Sequence, residues 1–390
     1  MPARADVVVV GGGPSGALTA AMAAVDAHTV LIERAPNRPA RCAGLIGPQG
    51  REALAVPQEY VLAEIRKVRV RGPDGTLLEL VSSGPKGFVV DRARLDRLLV
   101  ERAREAGADV RLGVEAKGWQ RGKLLTTSGS LEAPVLVGAD GLCSGVARWA
   151  GLPQAPQVLV GLQVTLAADG PADSVEVLLG GELSSGCFGW SVPAGPGRTR
   201  VGLATVQGRE AAGILGRVLS KHFPGAQVLE RTAGLIPVGT PEVTVGDGVL
   251  LVGDAAGQVK PLSGGGLYYG ALCARLAGKI AAQGPEHLWE YERCWREELG
   301  EEIDFALAAR RLLEELSEEE VAGLLRTLRG SNIAAFLAQE GDIDRPASLL
   351  REMMRRPSLW GEGLALLGVL GGWTRLHDLV SGLRSPPAGA

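Results

Sequence analysis

The sequence predicts a mixed α/β chain, α+β overall: a parallel sheet with crossover helices, an inserted and mainly antiparallel second sheet, and a helical C-terminal extension. Three observations predict it. The β-branched run Val7–Val10 breaks into Gly11-Gly12-Gly13-Pro14-Ser15-Gly16, followed by a small-residue helix and a second apolar run, Thr29–Ile32, closed by Glu33. Two later apolar strands also end in glycine–acid turns, Gly138-Ala139-Asp140-Gly141 and Gly253-Asp254-Ala255-Ala256-Gly257. Between those two turns, short apolar runs separated by turn residues extend from Val158 to Thr205, the pattern of an antiparallel sheet.

The opening stretch reads strand, glycine turn, helix, strand, acid, which is the order of a Rossmann-like dinucleotide site. Gly11 makes the turn, Gly13 lets the backbone approach a pyrophosphate, and Gly16 lets helix and strand pack closely. The helix N-terminus offers free N–H groups and partial positive charge to phosphates. Glu33 lies 20 residues after Gly13, within the usual range for a carboxylate that bonds a ribose. The alternative is a glycine turn that packs a βαβ unit and binds nothing.

Along the chain, Ile65–Arg71 and Thr76–Val81 flank Pro73-Asp74-Gly75, a hairpin signal. Asp91 N-caps a helix over 92–106 that Gly107 ends, and Val110-Arg111-Leu112 returns to the first sheet. Leu131–Val137 reads as one apolar strand. Val158–Leu166, Ser174–Leu179, Phe188–Val192 and Thr199–Thr205 read as the second sheet, with a helix over Arg209–His222. Gly248–Val252 returns to the first sheet, and a helix spans Leu267–Ala282. From 285 onward the chain reads as helical and acidic, with 19 acids against 12 bases, whereas bases prevail before it. The expected domains are therefore 1–150 with 242–284 as the nucleotide-binding unit, carrying a hairpin insertion at about 64–82; 151–241 as the inserted sheet; and 285–390 as the helical region.

The bulk properties narrow the function. A net charge of −3 gives no electrostatic case for nucleic acid. Five cysteines with no C-x-x-C argue against a disulfide framework or zinc site and fit a reducing cytoplasm. No apolar run reaches the roughly 18–20 residues of a membrane span, and no signal peptide is expected ahead of Val7. His28, His222, His287 and His377 show no metal spacing, so no metal site is expected.

Three glycine–acid turns spread over the chain suggest one long ligand lying across several strand ends, and FAD suits them better than NAD. With these motifs in place, the chain resembles the geranylgeranyl reductases among the FAD-dependent oxidoreductases of the aromatic hydroxylase type. The most specific match is Gln258-Val259-Lys260-Pro261-Leu262-Ser263-Gly264-Gly265-Gly266-Leu267-Tyr268-Tyr269-Gly270, similar to a family segment P-x-x-G-G-G-I-Y-Y-G. Cys42-Ala43-Gly44-Leu45 resembles the family's C-G-G-G-L turn, and Phe188-Gly189-Trp190-Ser191-Val192-Pro193 its Y-x-W-x-F-P pocket motif. Phe188 and Val192 depart from that motif, removing a phenolic hydroxyl and widening the pocket.

The resemblance implies an enzyme that saturates prenyl C=C bonds by hydride transfer from reduced flavin plus protonation. FAD contacts are then expected from Gly11, Gly13, Pro14, Ser15, Gly16, Glu33, Arg34, Cys42, Ala43, Gly44, Arg92, Asp140, Gly141, Gly253, Asp254, Gly264, Gly265 and Gly266. Asp140 either bonds the ligand or only shapes its turn. Cys42 is the expected catalytic residue, as proton donor or substrate orienter; otherwise it is a small buried cysteine in a turn. Cys143, Cys187, Cys273 and Cys294 are expected to pack. Phe188, Trp190, Pro193 and Tyr268 are expected at the substrate. Candidate substrates are a prenyl lipid, a prenyl diphosphate or a prenylated quinone, with NADPH, ferredoxin or another reductant as electron donor and a redox partner in the latter cases. Leu364–Val380, with Trp373 and Arg375, either packs on the body or touches a membrane surface, which would make a cytoplasmic protein membrane-peripheral. Arg351, Arg355 and Arg356 either meet a diphosphate or form a solvated helix face. The competing readings are a flavin monooxygenase or halogenase on the same scaffold and an electron-transfer flavoprotein.

Overall fold

Val7–Val10 is a strand with all four valines buried, as a run apolar on both faces requires. Val7 and Val9 share a core with residues of the helices Pro14–Ala23, Arg92–Glu105 and Leu267–Ala281, while Val8 and Val10 join a second core on the opposite face. The computed structural model describes residues 3–183 and 186–369. In it the first sheet runs in the order Val245–Gly246, Val249–Leu251, Val135–Gly138, Val7–Val10, Thr29–Glu33, Asp109–Leu112. Every pair is parallel except the short first one.

The strand expected over Leu131–Val137 is two strands. Pro134 has no N–H to donate to a ladder, and the chain breaks there. Gly129–Glu132 pairs antiparallel in a meander with Lys123–Thr126, and Val135–Gly138 enters the main sheet. The meander, which also contains Ala116–Gln120, covers the outer face of the main sheet.

The second sheet has seven strands in the order Gln227–Val238, Gln157–Ala167, Arg198–Thr205, Phe188–Pro193, Ser174–Leu179, Lys67–Arg71, Leu77–Val81. The hairpin expected inside the nucleotide-binding unit instead extends this sheet, because Lys67–Arg71 pairs in parallel with the edge strand Ser174–Leu179. Part of its apolar face then packs on the C-terminal region, where buried Leu78 and half-buried Val70 and Leu80 meet Leu316, Val321 and Leu325. Gln227–Val238, paired along Gln157–Ala167, has no counterpart in the sequence reading, since Glu230, Arg231, Thr232 and Gly234 interrupt its apolar alternation.

The C-terminal region is helical from Leu288–Glu315 to Trp360–Val369. Position 285 marks a change of composition and not of packing. Leu288, Tyr291, Trp295, Leu299 and Ile303, spaced along one face of the long helix, lie in the same core as Val7 and Leu31. Of the segment Leu364–Val380, residues 370–380, with Trp373, Arg375 and His377, lie outside the described residues. Arg351, Arg355 and Arg356 pair with Glu301, Glu352 and Glu340 on a solvated face.

Tyr291 ties this helix to the third glycine–acid turn. Its hydroxyl donates to the Leu251 carbonyl (2.9 Å) and accepts from Gln258 Nε2 (2.8 Å). Gln258 Oε1 in turn accepts from the Gly253 N–H (2.8 Å). All four groups are buried, so Tyr291→Phe strands two of them and should lower the unfolding free energy by about 1–3 kcal/mol. Urea denaturation checks this, with the midpoint falling and the slope unchanged.

Candidate active site

The three turns open on one cavity of about 2270 Å3. That exceeds the roughly 300–1,000 Å3 of an ordinary small-molecule pocket and leaves room for a long ligand and a second one. Backbone must approach backbone to build this wall. Gly11 has φ +105°, and a Cβ there would strike the Ala139 carbonyl, so the first and second turns touch. A Cβ on Gly16 would strike the Gly11 carbonyl. Cβ atoms on Gly253 or Gly270 would each lie 2.5 Å from Ser15 Oγ, so the first and third turns meet at Ser15. Gly13 has nothing within 4 Å of its missing side chain and presents bare backbone at the cavity wall.

Glu33 is fixed by its turn: Oε2 accepts from the Gly12 N–H (2.7 Å) and Oε1 from the Ala35 N–H (2.6 Å). Asp140 shapes its turn as well. Its oxygens accept from Ser144 Oγ and from the Gly145 and Val146 N–H groups, at 2.6, 2.7 and 3.2 Å. Asp254 differs, accepting no hydrogen bond among the described residues. It is exposed, but to the cavity, and enclosure by protein raises its carboxyl above the ordinary range, with Arg92 acting in the opposite direction.

Arg92 is held by Asp96 through two bonds of 3.0 and 3.2 Å. Burial alone would lower its pKa, but the Cys42 sulfur and the Asp96 carboxylate hold it above the ordinary arginine value. Cys42 lines the cavity and accepts from the Gly44 N–H (3.3 Å). Arg200 donates to the next carbonyl, Ala43 O, at 2.7 Å. Gln163, buried in its strand, joins this loop to the second sheet. It accepts from Trp190 Nε1 (3.0 Å) and donates to the Cys42 carbonyl (3.4 Å). The Trp190 indole sits where a Cβ on Gly202 would lie 2.5 Å from its ring.

The lining also has an apolar limb, made by Val177, Leu179, Leu183, Leu262, Leu313, Leu316 and Val321, with Glu182, Glu314, Ser317 and Glu318 from the same segments. Arg310 crosses this limb, donating to Gly186 O (3.2 Å) and Pro261 O (3.4 Å) and pairing with Glu314 at 2.7 Å. Cys187 also lines it, and burial pushes its thiol up to about 11, against bonding to Thr205 and the charge of Arg310.

Of the expected site residues, Gly11, Gly13, Pro14, Ser15, Glu33, Arg34, Cys42, Ala43, Arg92, Asp140, Gly141, Asp254, Gly264, Gly265, Gly266, Phe188 and Trp190 line the cavity. Five do not. Gly16 and Gly253 act behind the wall by allowing close packing, and Gly44, at φ +82°, turns the cysteine loop against Val90. Pro193 is buried at the end of its strand. Tyr268 does not line the cavity, and its hydroxyl is bonded to Gln49 and Arg345. The sequence reading missed Gln163, Arg200, Lys260 and Arg310. A glutamine within an otherwise apolar strand was the one signal for Gln163. Arg34, Arg38 and Arg41 also lie at the cavity, and burial, followed by repulsion from its two neighbours, lowers Arg38. Among the described residues no group of histidine, cysteine and acidic side chains is arranged to hold a metal ion, and no helix is long and apolar enough to cross a membrane.

A Rossmann-type sheet, three converging glycine–acid turns and an apolar limb define a flavoprotein-type oxidoreductase. Solved structures with this fold include a geranylgeranyl bacteriochlorophyll reductase-like protein from Thermoplasma acidophilum, with a TM-score of 0.80 at 24% identity, covering 91% of this chain and all of the other. A flavin-dependent brominase matches with a TM-score of 0.70 at 16% identity over 98% of both chains. No protein-family model matches the chain. Digeranylgeranylglycerophospholipid reductase from Methanothrix thermoacetophila is 33% identical over 363 residues, covering 85% of this chain and 93% of the relative. Digeranylgeranylglycerophospholipid reductase 2 from Methanothermobacter thermautotrophicus is 33% identical over 389 residues, covering 91% and 97%. The chain belongs to this reductase family.

Asp254 generates a pH prediction for the cofactor-free protein. Its folded pKa lies above the unfolded value, so between the two the folded state binds more protons, and stability falls as pH rises through that window. Asp254→Asn removes this decline. Thermal melts from pH 3.5 to 7 should show the variant at least as stable as wild type at pH 7, with the two converging in acid.

Proposed function

We propose that this protein is an FAD-dependent reductase that saturates the C=C bonds of prenyl chains carried by a phospholipid. One observation carries the reading: a single cavity is lined by the three glycine–acid turns, by Cys42 and Trp190, and by a set of leucine and valine side chains. The reductase relatives support the substrate class.

The donor set fits FAD. Gly13 and the N-terminus of helix Pro14–Ala23 would hold the pyrophosphate, and Glu33 retains lone pairs for the ribose. The Asp254 carboxylate, free of protein hydrogen bonds, would take ribityl hydroxyls. The turn Gly264–Gly266 and the helix Leu267–Ala281 would face the flavin ring. When bound and reduced, FAD would supply the hydride equivalent for one alkene carbon. The protein must then deliver a proton to the other carbon and exclude water. Cys42 is our choice for the proton, because its thiol lines the cavity in the loop next to Arg92. Leu179, Leu183, Leu313, Leu316 and Val321 would hold the chain in a dry limb. A phospholipid substrate requires access to a membrane surface, and the exposed Trp360 and Leu364 support peripheral contact.

Anaerobic incubation of FAD-loaded, pre-reduced protein with a digeranylgeranyl phospholipid should add two mass units per double bond. An oxygen-dependent gain of sixteen would instead favour a monooxygenase. Cys42→Ala should lower the single-turnover rate by about 10²-fold or more, the usual scale for losing a positioned acid. Unchanged turnover removes Cys42 from the mechanism.

A further inference from the structure

The cavity wall holds a buried ion pair that the reading above does not use. Lys260 Nζ lies 2.7 Å from Asp344 Oδ1, with the two side chains 7% and 1% exposed. Lys260 lines the cavity just before the glycine turn, and Asp344 comes from the C-terminal region. The Gly264 N–H donates to Lys260 O (2.9 Å) and the Lys260 N–H to Gly265 O (3.1 Å), folding the turn over the lysine stem. A Cβ on Gly265 would lie 2.9 Å from Lys260 Cε and 3.3 Å from Nζ. Gly47 is equally constrained, since a Cβ there would strike Asp344 Oδ2. That oxygen is buried with no hydrogen-bond partner among the described residues, and Lys260 is the cation paired with Asp344. The segment around Asp344 is clamped by Asp342 to Gln49, by Arg345 to Glu298, and by the Ala347 N–H to Glu302.

Burying two charges is costly, and well-packed apolar residues commonly serve stability as well or better. A charge kept at the wall of the cavity therefore points to a task there, and in a low-dielectric surrounding its field reaches neighbours with little screening.

We propose that Lys260 is a positioning residue that sets the electron affinity of FAD held against Gly264–Gly266, with Asp344 limiting how much of its charge the ring feels. The proposal rests on the cofactor reading above. Two-electron reduction of FAD takes up two electrons and one proton and leaves one negative charge on the ring system. An ammonium beneath the turn stabilises that form more than the neutral oxidised one. Through Asp344, the C-terminal region adjusts the electron affinity of a cofactor bound to the N-terminal sheet.

The test uses the full chain loaded with FAD and titrated anaerobically with dithionite beside a reference dye, reading the midpoint potential from absorbance. Lys260→Met should lower the potential by about 30 mV, a tenfold weaker preference for reduced over oxidised FAD. Asp344→Asn, which leaves the lysine uncompensated, should raise it by a similar amount. If either single variant fails to fold, the double variant Lys260→Met/Asp344→Leu decides, because it removes both charges and keeps the site packed; its potential should fall. Folded, FAD-loaded variants with the wild-type potential would overturn the proposal and leave the cofactor reading intact. A wild-type chain that takes up no FAD would overturn both.

Discussion

Close approach of backbone to backbone where three strand ends meet is the constraint on which the rest of this structure depends. Gly11 abuts Ala139, Gly16 abuts Gly11, and Gly253 and Gly270 both close on Ser15. A methyl group on Gly11 would push the first turn off the second, and one on Gly253 or Gly270 would displace the Ser15 side chain. Because the turns belong to residues far apart in the chain, their contact turns separate βα units into one continuous wall. The small-residue packing of the first helix against Leu267–Ala281 follows from the same demand: a Cβ on Gly278 would lie 2.5 Å from Met22 Cβ.

On that wall the polar groups are unevenly committed, and this division organises the chemistry. Asp140 and Glu33 are occupied in fixing their own turns, whereas Asp254 faces the cavity and accepts no hydrogen bond among the described residues. The charge of Arg92 acts on the Asp254 carboxylate, and Arg92 is itself held by Asp96. Gln163 extends this arrangement to Trp190 and thereby couples the cysteine loop to the second sheet. The same cavity carries an apolar set, among them Leu179, Leu183, Leu313, Leu316 and Val321, with Arg310 also in the lining. The transition from polar wall to apolar limb matches a ligand pair in which one is charged and the other a hydrocarbon chain.

Local chemistry made the nucleotide-binding half legible in the sequence. Valine runs, positive-φ glycines and the acid after the second strand act over a few residues, and their spacing survives folding. What was not legible depends on distant partners. The hairpin Lys67–Arg71 with Leu77–Val81 reads identically whether it stands alone or extends a sheet, and only the open edge of Ser174–Leu179 decides. Gln227–Val238 carries charges because it pairs along its whole length on one side only, as an edge strand. Lys260 gives no local sign that it is buried, since its partner Asp344 lies in another region of the chain. Tyr268 sits in the family-like segment, yet its hydroxyl bonds Gln49 and Arg345 and it does not line the cavity.

The central claim is that one cavity receives FAD on its glycine wall and a prenyl chain in its apolar limb. Photolabelling tests it most directly, using FAD-loaded protein and a prenyl phospholipid with a diazirine at the far end of the chain, followed by peptide mapping. The account predicts adducts on the segments 177–183 and 313–321, lost on adding unlabelled lipid. Adducts confined to the outer surface, such as the helix Trp360–Val369, and unaffected by competitor would contradict it.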